Sequence, residues 1–181
     1  MKKIILITLA ALLALGLAAC GGGPAEPGGT VTETNILPGN EAGNHSYVYE
    51  GVAITVGADP GPVLAAMPDQ TFEPHEEPSC YVDGATDIQY FYQGLILVVT
   101  YPGAADNEPP RVVCIRLVDD TVATPEGLYI GAPEEDIAAL YGQADEKNDK
   151  FYFYYKGQSS LEIAVNQDGE VDQIIYDYKL E

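Results

Sequence analysis

Residues 127–142 read GLYIGAPEEDIAALYG, and this stretch decides the predicted fold. Pro133 suits the first helical position, the acidic residues 134–136 suit the first turn, and Gly142 suits the C-terminal end. Three apolar residues have the i, i+3, i+4 spacing of one helix face: Ile137, Leu140 and Tyr141. The stretch therefore predicts a short strand, a glycine turn and one compact helix.

An earlier stretch repeats this pattern. Residues 51–67 read GVAITVGADPGPVLAAM, with a Gly-Ala turn, a proline and apolar residues at the same spacing. Three strand-like runs follow each helix, and the last run of each set has a V-x-x-I pattern whose skipped step predicts a bulge or a twist. The runs are Ile88–Tyr92, Leu95–Tyr101 and Val112–Val118, and then Phe151–Tyr155, Leu161–Val165 and Val171–Tyr178.

These matches predict a tandem repeat. We expect an α+β fold class, in which two tandem units, each a helix plus an antiparallel three-strand meander, form one domain. Unit one covers residues 47–120 and unit two covers residues 121–181, with approximate ends. Each helix is expected to bury its apolar stripe against the apolar face of its sheet.

Alternation along the predicted strands assigns each side chain to one of two sheet faces. The first hairpin strand of unit two is predicted to turn Phe151, Phe153 and Tyr155 towards the core. Four side chains are predicted to point outward and to form a binding surface, because exposed aromatic and aliphatic residues are typical interface anchors: Tyr152, Tyr154, Ile175 and Phe91. Two alternatives stay open. The units cover this face by packing together, or the tyrosines are there only because they suit strands.

The N-terminal segment resembles a bacterial lipoprotein signal. Lys2 and Lys3 precede an apolar run, Ile4–Leu17, which closes with Leu-Ala-Ala-Cys at residues 17–20. The resemblance implies that residues 1–19 are removed as a signal peptide and that Cys20 is lipidated. The alternatives are an ordinary signal peptide and a transmembrane anchor, but a spanning helix needs about 20 apolar residues and this run is shorter.

Residues 20–46 are predicted to be a disordered tether that follows the lipidated cysteine. The segment is rich in Gly, Pro, Thr, Asn and Glu, and it has too few apolar residues to offset the entropy of ordering. His45 is expected to be solvated near its end. The folded domain is expected to begin at about Tyr47.

The charge of the chain is strongly acidic. Eight basic and 28 acidic side chains give a net charge of −20, and loss of Lys2 and Lys3 with the signal leaves six basic against 28 acidic, or −22. Such a field disfavours nucleic acid and anionic lipid headgroups as partners. Solubility outside the cell and attraction to a basic partner or to divalent cations both remain compatible with it.

A family resemblance follows from Thr124–Gly142 with the strands after it, echoed over Glu50–Val118. This arrangement resembles the tandem units of the β-lactamase inhibitor protein and of small outer-membrane assembly lipoproteins of the SmpA/OmlA type. Such domains generally bind proteins, so the resemblance implies a protein-binding lipoprotein. It assigns no functional residue, because no contact motif of the inhibitor matches.

Two cysteines remain after lipidation of Cys20. Cys80 and Cys114 form an even pair in an exported domain, which predicts one disulfide; two free thiols are the alternative. A nucleophilic cysteine needs a nearby base, and His75 is the candidate in this sequence. Enzymatic motifs such as a phosphate loop, HExxH or CxxC are missing from the sequence, and we predict no catalytic residue.

Two acidic segments raise the question of metal binding. Residues 73–80 read EPHEEPSC, a set of possible zinc or copper ligands that two prolines hold in a predicted exposed loop. Residues 166–172 contain acids near an Asp-Gly pair, which a hairpin turn explains without calcium. We predict no metal and no cofactor.

The sequence thus predicts a membrane-anchored extracytoplasmic lipoprotein with a non-catalytic, protein-binding domain. Its expected partners are the membrane, through lipid on Cys20, and an envelope or surface protein of basic character, without nucleic acid. The alternative is an extracytoplasmic enzyme or a solute- or metal-capture protein. A deep pocket with convergent acids or His75 favours the alternative, whereas an open sheet face favours protein binding.

Overall fold

The computed structural model describes residues 43–104 and 108–179. The predicted signal peptide, Cys20 and most of the predicted tether lie outside the described residues. No helix among the described residues has the length and apolar character needed to cross a membrane. The elements in chain order are β1 (Ser46–Tyr49), β2 (Val52–Thr55), α1 (Pro60–Ala66), β3 (Phe72–Pro78), β4 (Thr86–Tyr92), β5 (Leu95–Tyr101), β6 (Arg111–Leu117), α2 (Glu134–Tyr141), β7 (Glu146–Lys147), β8 (Phe151–Lys156), β9 (Ser159–Val165) and β10 (Val171–Tyr178).

Eight of these strands form one antiparallel sheet in the order β3-β4-β5-β6-β10-β9-β8-β7. Two four-stranded meanders, β3–β6 and β7–β10, are joined where β6 pairs with β10 at the centre. The hairpin of β1 and β2 is a separate two-stranded sheet. One continuous sheet therefore runs through both halves of the described domain.

The predicted α+β class, two tandem units of a helix plus a three-strand meander, is wrong because the fold is mostly β. The helices have only seven and eight residues. Each meander has a fourth strand, β3 or β7, and the β6–β10 pairing merges the two meanders into one sheet. A short strand was also expected near Tyr129, but only an isolated bridge to Ala123 forms there.

Local signals in the sequence were more accurate. All six predicted strands are confirmed, with ends within two residues, and Gln93-Gly94 makes the predicted turn. The predicted bulges are present, because the pairing register shifts at Val113 on β6 and at Asp172 on β10. Gly142 ends α2 with φ of 74°, a conformation that glycine adopts readily. Pro133 is the N-cap residue of α2 and not its first helical residue.

Most of the core lies on one side of the eight-stranded sheet, which we call the inner face. Buried residues of the hairpin and of both helices, such as Ile54, Val63 and Ile137, pack in one cluster with it. The rings of Tyr49 and Tyr92 lie 6.0 Å apart between the hairpin and β4. Paired positions place these residues on the inner face: Tyr90, Tyr92, Leu95, Leu97, Ile115, Leu117, Tyr152, Tyr154, Leu161, Ile163, Ile174 and Tyr176.

The folded domain begins earlier than Tyr47. Asn44 is buried, and its side chain bonds the carbonyl of Val56 and the N–H of Gln158, both at 2.8 Å. His45 is half-buried, and its backbone N–H donates to the Ser159 hydroxyl at 2.7 Å. The expectation that His45 is a solvated tether residue is wrong, because these bonds tie it to the start of β9.

Candidate functional site

The second side of the large sheet, the outer face, carries a line of paired residues from one edge strand to the other. We call this line the outer row. Strands in a sheet lie about 4.8 Å apart, so the seven steps of the row cover about 34 Å. Its members, in spatial order, are Phe72, Phe91, Ile96, Arg116, Ile175, Glu162, Phe153 and Glu146.

Three aromatic rings stack along β8 where it crosses the outer row. The ring centroids of Phe151 and Phe153 lie 6.2 Å apart, and those of Phe153 and Tyr155 lie 6.4 Å apart, with interplanar angles of 23° and 24°. Phe151 is 37% exposed and Tyr155 is 41% exposed. The Lys179 ammonium lies 3.3 Å from the Tyr155 ring centroid, so one end of the stack already holds a cation.

An acidic residue borders the same stack. The Tyr155 hydroxyl donates to the Glu146 carboxylate at 2.8 Å, and this hydrogen bond raises the pKa of Tyr155 above its ordinary value. The Asp145 carboxylate accepts the Tyr155 N–H at 2.7 Å. These contacts fix the orientation of the ring at the exposed end of the stack.

The predicted orientation of β8 is wrong. Tyr152 is only 7% exposed and lies opposite Ile163, with its hydroxyl donating to the Glu134 carboxylate of α2. Tyr154 lies opposite Leu161, and its ring centroid is 5.2 Å from that of Tyr141. Both tyrosines therefore lie on the inner face, under α2.

The physical reason is the turn between β8 and β9. Residues 157–158 form that turn, so Lys156 pairs with Ser159, and every second residue back along β8 lies opposite an apolar residue of β9. If the pairing of β8 with β9 is shifted by one residue, every side chain of β8 moves to the other face of the sheet. In the sequence, the signal is the spacing between the turn at Gly157 and the apolar Leu161. The same spacing counted back along β8 identifies Phe151, Phe153 and Tyr155 as the outward-facing rings.

The other two predicted binding residues do lie on the outer face. Phe91 and Ile175 are both members of the outer row, separated by β5 and β6. The Phe91 ring makes an edge contact with Phe72 at 6.2 Å, and Phe72 is 72% exposed. Ile175 is only 9% exposed, so it offers little of its own surface to a partner.

One end of the outer face is covered by residues 79–85. Tyr81 in this segment donates its hydroxyl to Asp177 at 2.8 Å and lies beside the thiol of Cys114. Burial raises the pKa of Cys114 to about 12, so this thiol is protonated at neutral pH. Cys80 is exposed, and its N–H donates to Asp87 at 3.3 Å. Both cysteines are free thiols in the structure, and their disulfide stays a prediction.

The predicted ligand-rich loop is an edge strand. His75 lies on β3, whose residues are all exposed, and it pairs with Gln89. In the second acidic segment, the Asn166 side chain accepts the N–H groups of Asp168 and Glu170, which closes the hairpin. Within residues 43–104 and 108–179, no group of three or more His, Cys, Asp or Glu side chains is placed to hold a metal ion.

Comparisons with known proteins add little to this geometry. No family model matches the chain, and no curated protein matches it. The chain is similar to a solved extracellular protein containing an SCP domain from Bacillus anthracis strain Ames, with 15% identity and a TM-score of 0.49. The match covers 68% of this chain and 44% of that protein. A likeness this distant supports no inference about function, and the resemblance to inhibitor-type tandem units stays a prediction.

Proposed function

We propose that this protein is an extracytoplasmic lipoprotein, anchored through lipid on Cys20, whose domain binds a basic protein partner on the outer face. The lipoprotein-like signal of residues 1–20 supports export and anchoring. The observation that carries the binding proposal is the stack of Phe151, Phe153 and Tyr155 on the outer face. The role is one of binding and not of catalysis.

The stack has the chemistry of an interface anchor. Aromatic rings bury a large area at low entropic cost, and their faces attract cations. Lys179 already occupies the face of Tyr155, which leaves Phe151 and Phe153 for the side chains of a partner. A basic segment suits these rings, because Glu146 and Glu162 lie in the same row and the whole chain has a net charge of −20. The expected partner is an envelope or surface protein that places arginine or lysine side chains on this row.

Capture of the partner from a native envelope extract tests the proposal. The full chain, purified in detergent, serves as bait beside its Phe153→Ala variant. Loss of a central anchor costs about 2 kcal/mol, so we expect roughly 30-fold weaker capture. The melting temperature is expected to change little, because Phe153 is only partly buried.

Leu140→Ala is the matched control. Leu140 is 39% exposed on α2, which packs on the inner face, and its loss is expected to leave capture unchanged. Capture is also expected to weaken as salt is raised, because opposite charges steer the association. Equal capture by the wild-type and Phe153→Ala chains contradicts the proposal.

A further inference from the structure

A second line of paired residues lies beside the outer row on the same face of the sheet, and we call it the second row. It ends at Tyr155, the exposed ring of the stack. Val98, Cys114 and Ser160 are buried although they lie on the outer face, so the middle of this row is shielded from solvent. The members of the second row, in spatial order, are Gln89, Val98, Cys114, Asp177, Ser160 and Tyr155.

The segment that covers the second row is the turn between β3 and β4, residues 79–85, which we call the lid. Its base is closed by the Ser79 N–H, which donates to the Ala85 carbonyl at 2.9 Å, and the Ala85 N–H donates to the Val82 carbonyl at 3.2 Å. The Ser79 hydroxyl accepts the N–H groups of Tyr81 and Val82 at 3.0 and 3.1 Å. Because these bonds are internal, the lid keeps its own shape and can move as one body about its base.

Hydrogen bonds attach the lid to the sheet at its base and at its far end. At the base, the Cys80 N–H donates to the Asp87 carboxylate at 3.3 Å. At the far end, the Tyr81 hydroxyl donates to the Asp177 carboxylate at 2.8 Å, across 96 residues of chain. The Tyr81 ring packs against the core beside Cys114, and burial raises the pKa of Tyr81, so its hydroxyl keeps the proton that it donates. Tyr81 is therefore the side chain that closes the lid over the second row.

Open space borders the lid. A cavity of about 700 Å³ is lined by Val82 and Asp83 of the lid and by Thr100, Val113 and Lys179, among others. A second cleft of about 500 Å³ runs along the lid and the ends of β3 and β4. The lid thus has room to move away from the sheet. The larger cavity also adjoins the stack, because the Lys179 ammonium lies over the Tyr155 ring.

An acidic group lies beneath the lid. Asp177 is partly buried, and neither of the ion pairs found among the described residues includes it. Burial raises the pKa of Asp177, and the hydrogen bond from Tyr81 opposes this effect. The charge of Arg116 also lowers this pKa, but Arg116 forms no ion pair with Asp177. A partly buried carboxylate without a paired cation is costly, and a charged donor bonds it more strongly than a neutral hydroxyl does.

We propose that residues 79–85 are an autoinhibitory lid on the binding surface. In the closed state the Tyr81 hydroxyl occupies Asp177, and in the open state a lysine or arginine of the basic partner takes its place. Opening adds the second row to the surface, next to the stack at Tyr155. The nature of the partner rests on the proposed function. Because the partner binds only after the lid opens, the closed fraction lowers its apparent affinity.

The thiol of Cys114 reports opening of the lid, because it is buried beneath it. The full chain with Cys80→Ser is treated in detergent with N-ethylmaleimide, and labelling of Cys114 is followed by peptide mass spectrometry. Adding Tyr81→Phe is expected to speed this labelling about tenfold, since it removes the hydrogen bond that closes the lid. The rate is expected to change little in dilute urea, because a local opening exposes little surface.

Tyr90→Phe is the matched control. The Tyr90 hydroxyl pairs with that of Tyr101 at 3.1 Å on the inner face, away from the lid, so its loss is expected to leave labelling of Cys114 unchanged. The lid is overturned if Tyr81→Phe labels at the wild-type rate. It is also overturned if labelling rises with urea in step with global unfolding.

A short basic peptide tests the autoinhibitory role. Acetylated hexa-arginine amide represents the basic partner, and hexa-citrulline of the same length, which lacks the charge, is its control at equal ionic strength. The arginine peptide is expected to speed labelling of Cys114 in the Cys80→Ser chain about threefold or more, because a guanidinium replaces Tyr81 at Asp177. Equal rates with the two peptides overturn this role. Equal capture by the wild-type and Phe153→Ala chains overturns only the proposed function, since labelling of Cys114 does not depend on it.

Discussion

The two sides of strand β8 present the clearest contrast in this molecule. Residues 151–155 are all aromatic, yet they have opposite environments. Tyr152 and Tyr154 are held under α2 by hydrogen bonds to Glu134 and to the Gly142 carbonyl. Phe151, Phe153 and Tyr155 stack on the outer face with two of the three rings more than one-third exposed. Aromatic residues on a strand thus serve as core or as surface, according to what packs on each side.

The largest effect that separates the two sides is expected from Tyr152→Ala. Removing a buried aromatic ring leaves a cavity and typically costs about 3–5 kcal/mol, and here the Glu134 carboxylate also loses a donor. We expect a loss of about 3 kcal/mol in the free energy of unfolding, measured by urea denaturation. A loss below about 1 kcal/mol would show that the inner side of β8 is not core.

A smaller effect is expected from His45, which anchors the hairpin on the inner side. Its folded-state pKa is lowered, mainly by burial and then by Lys156, with Glu126 and Asp145 opposing. Below the unfolded value of 6.5 the unfolded chain binds more protons than the folded one, so stability falls as the pH drops. The loss is complete once the pH is below the folded-state pKa, and above 6.5 the term vanishes.

His45→Gln removes this titration. Melting temperatures measured from pH 7.5 to about 5 should fall less steeply for the variant than for the wild type. Acidic side chains are common to both chains, so their contribution cancels in the difference. Parallel curves would mean that His45 is not buried in its neutral form.

The smallest effect is expected on the outer side, at Lys179. Its ammonium lies over the Tyr155 ring, and an exposed cation–π contact contributes about 0.5–1 kcal/mol. Lys179→Ala should lower the free energy of unfolding by no more than this amount. A double-mutant cycle with Tyr155→Leu isolates the contact, and a coupling energy of zero would remove the argument that this stack attracts cations.

Local elements of the fold were predictable from the sequence because periodicity and turn residues determine them. The V-x-x-I pattern even predicted the bulges at Val113 and Asp172. The pairing of β6 with β10 was not predictable, since no local pattern records which strands become neighbours. The edge strand β3 escaped prediction because its charged and proline residues, all exposed, lack apolar alternation.

The orientation of the outer-face residues was predictable only beside positions that an apolar pattern already assigned to the core. Phe91 and Ile175 were assigned to the correct face, because each lies one residue from such an inward position, Tyr92 or Ile174. In β8 both faces are aromatic, so composition does not distinguish Tyr152 from Phe153. His45 was missed because its partner, Ser159, is 114 residues away in the chain and follows no motif.

Site-specific photo-crosslinking asks whether the outward rings of β8 contact a protein partner in the native envelope. A photoreactive phenylalanine analogue replaces Phe153 in one full-length chain and Leu140 in another, and each chain is expressed in its native envelope and irradiated. We expect a discrete, salt-sensitive adduct from position 153 and none from position 140. No adduct from position 153, or the same adduct from both positions, would contradict it.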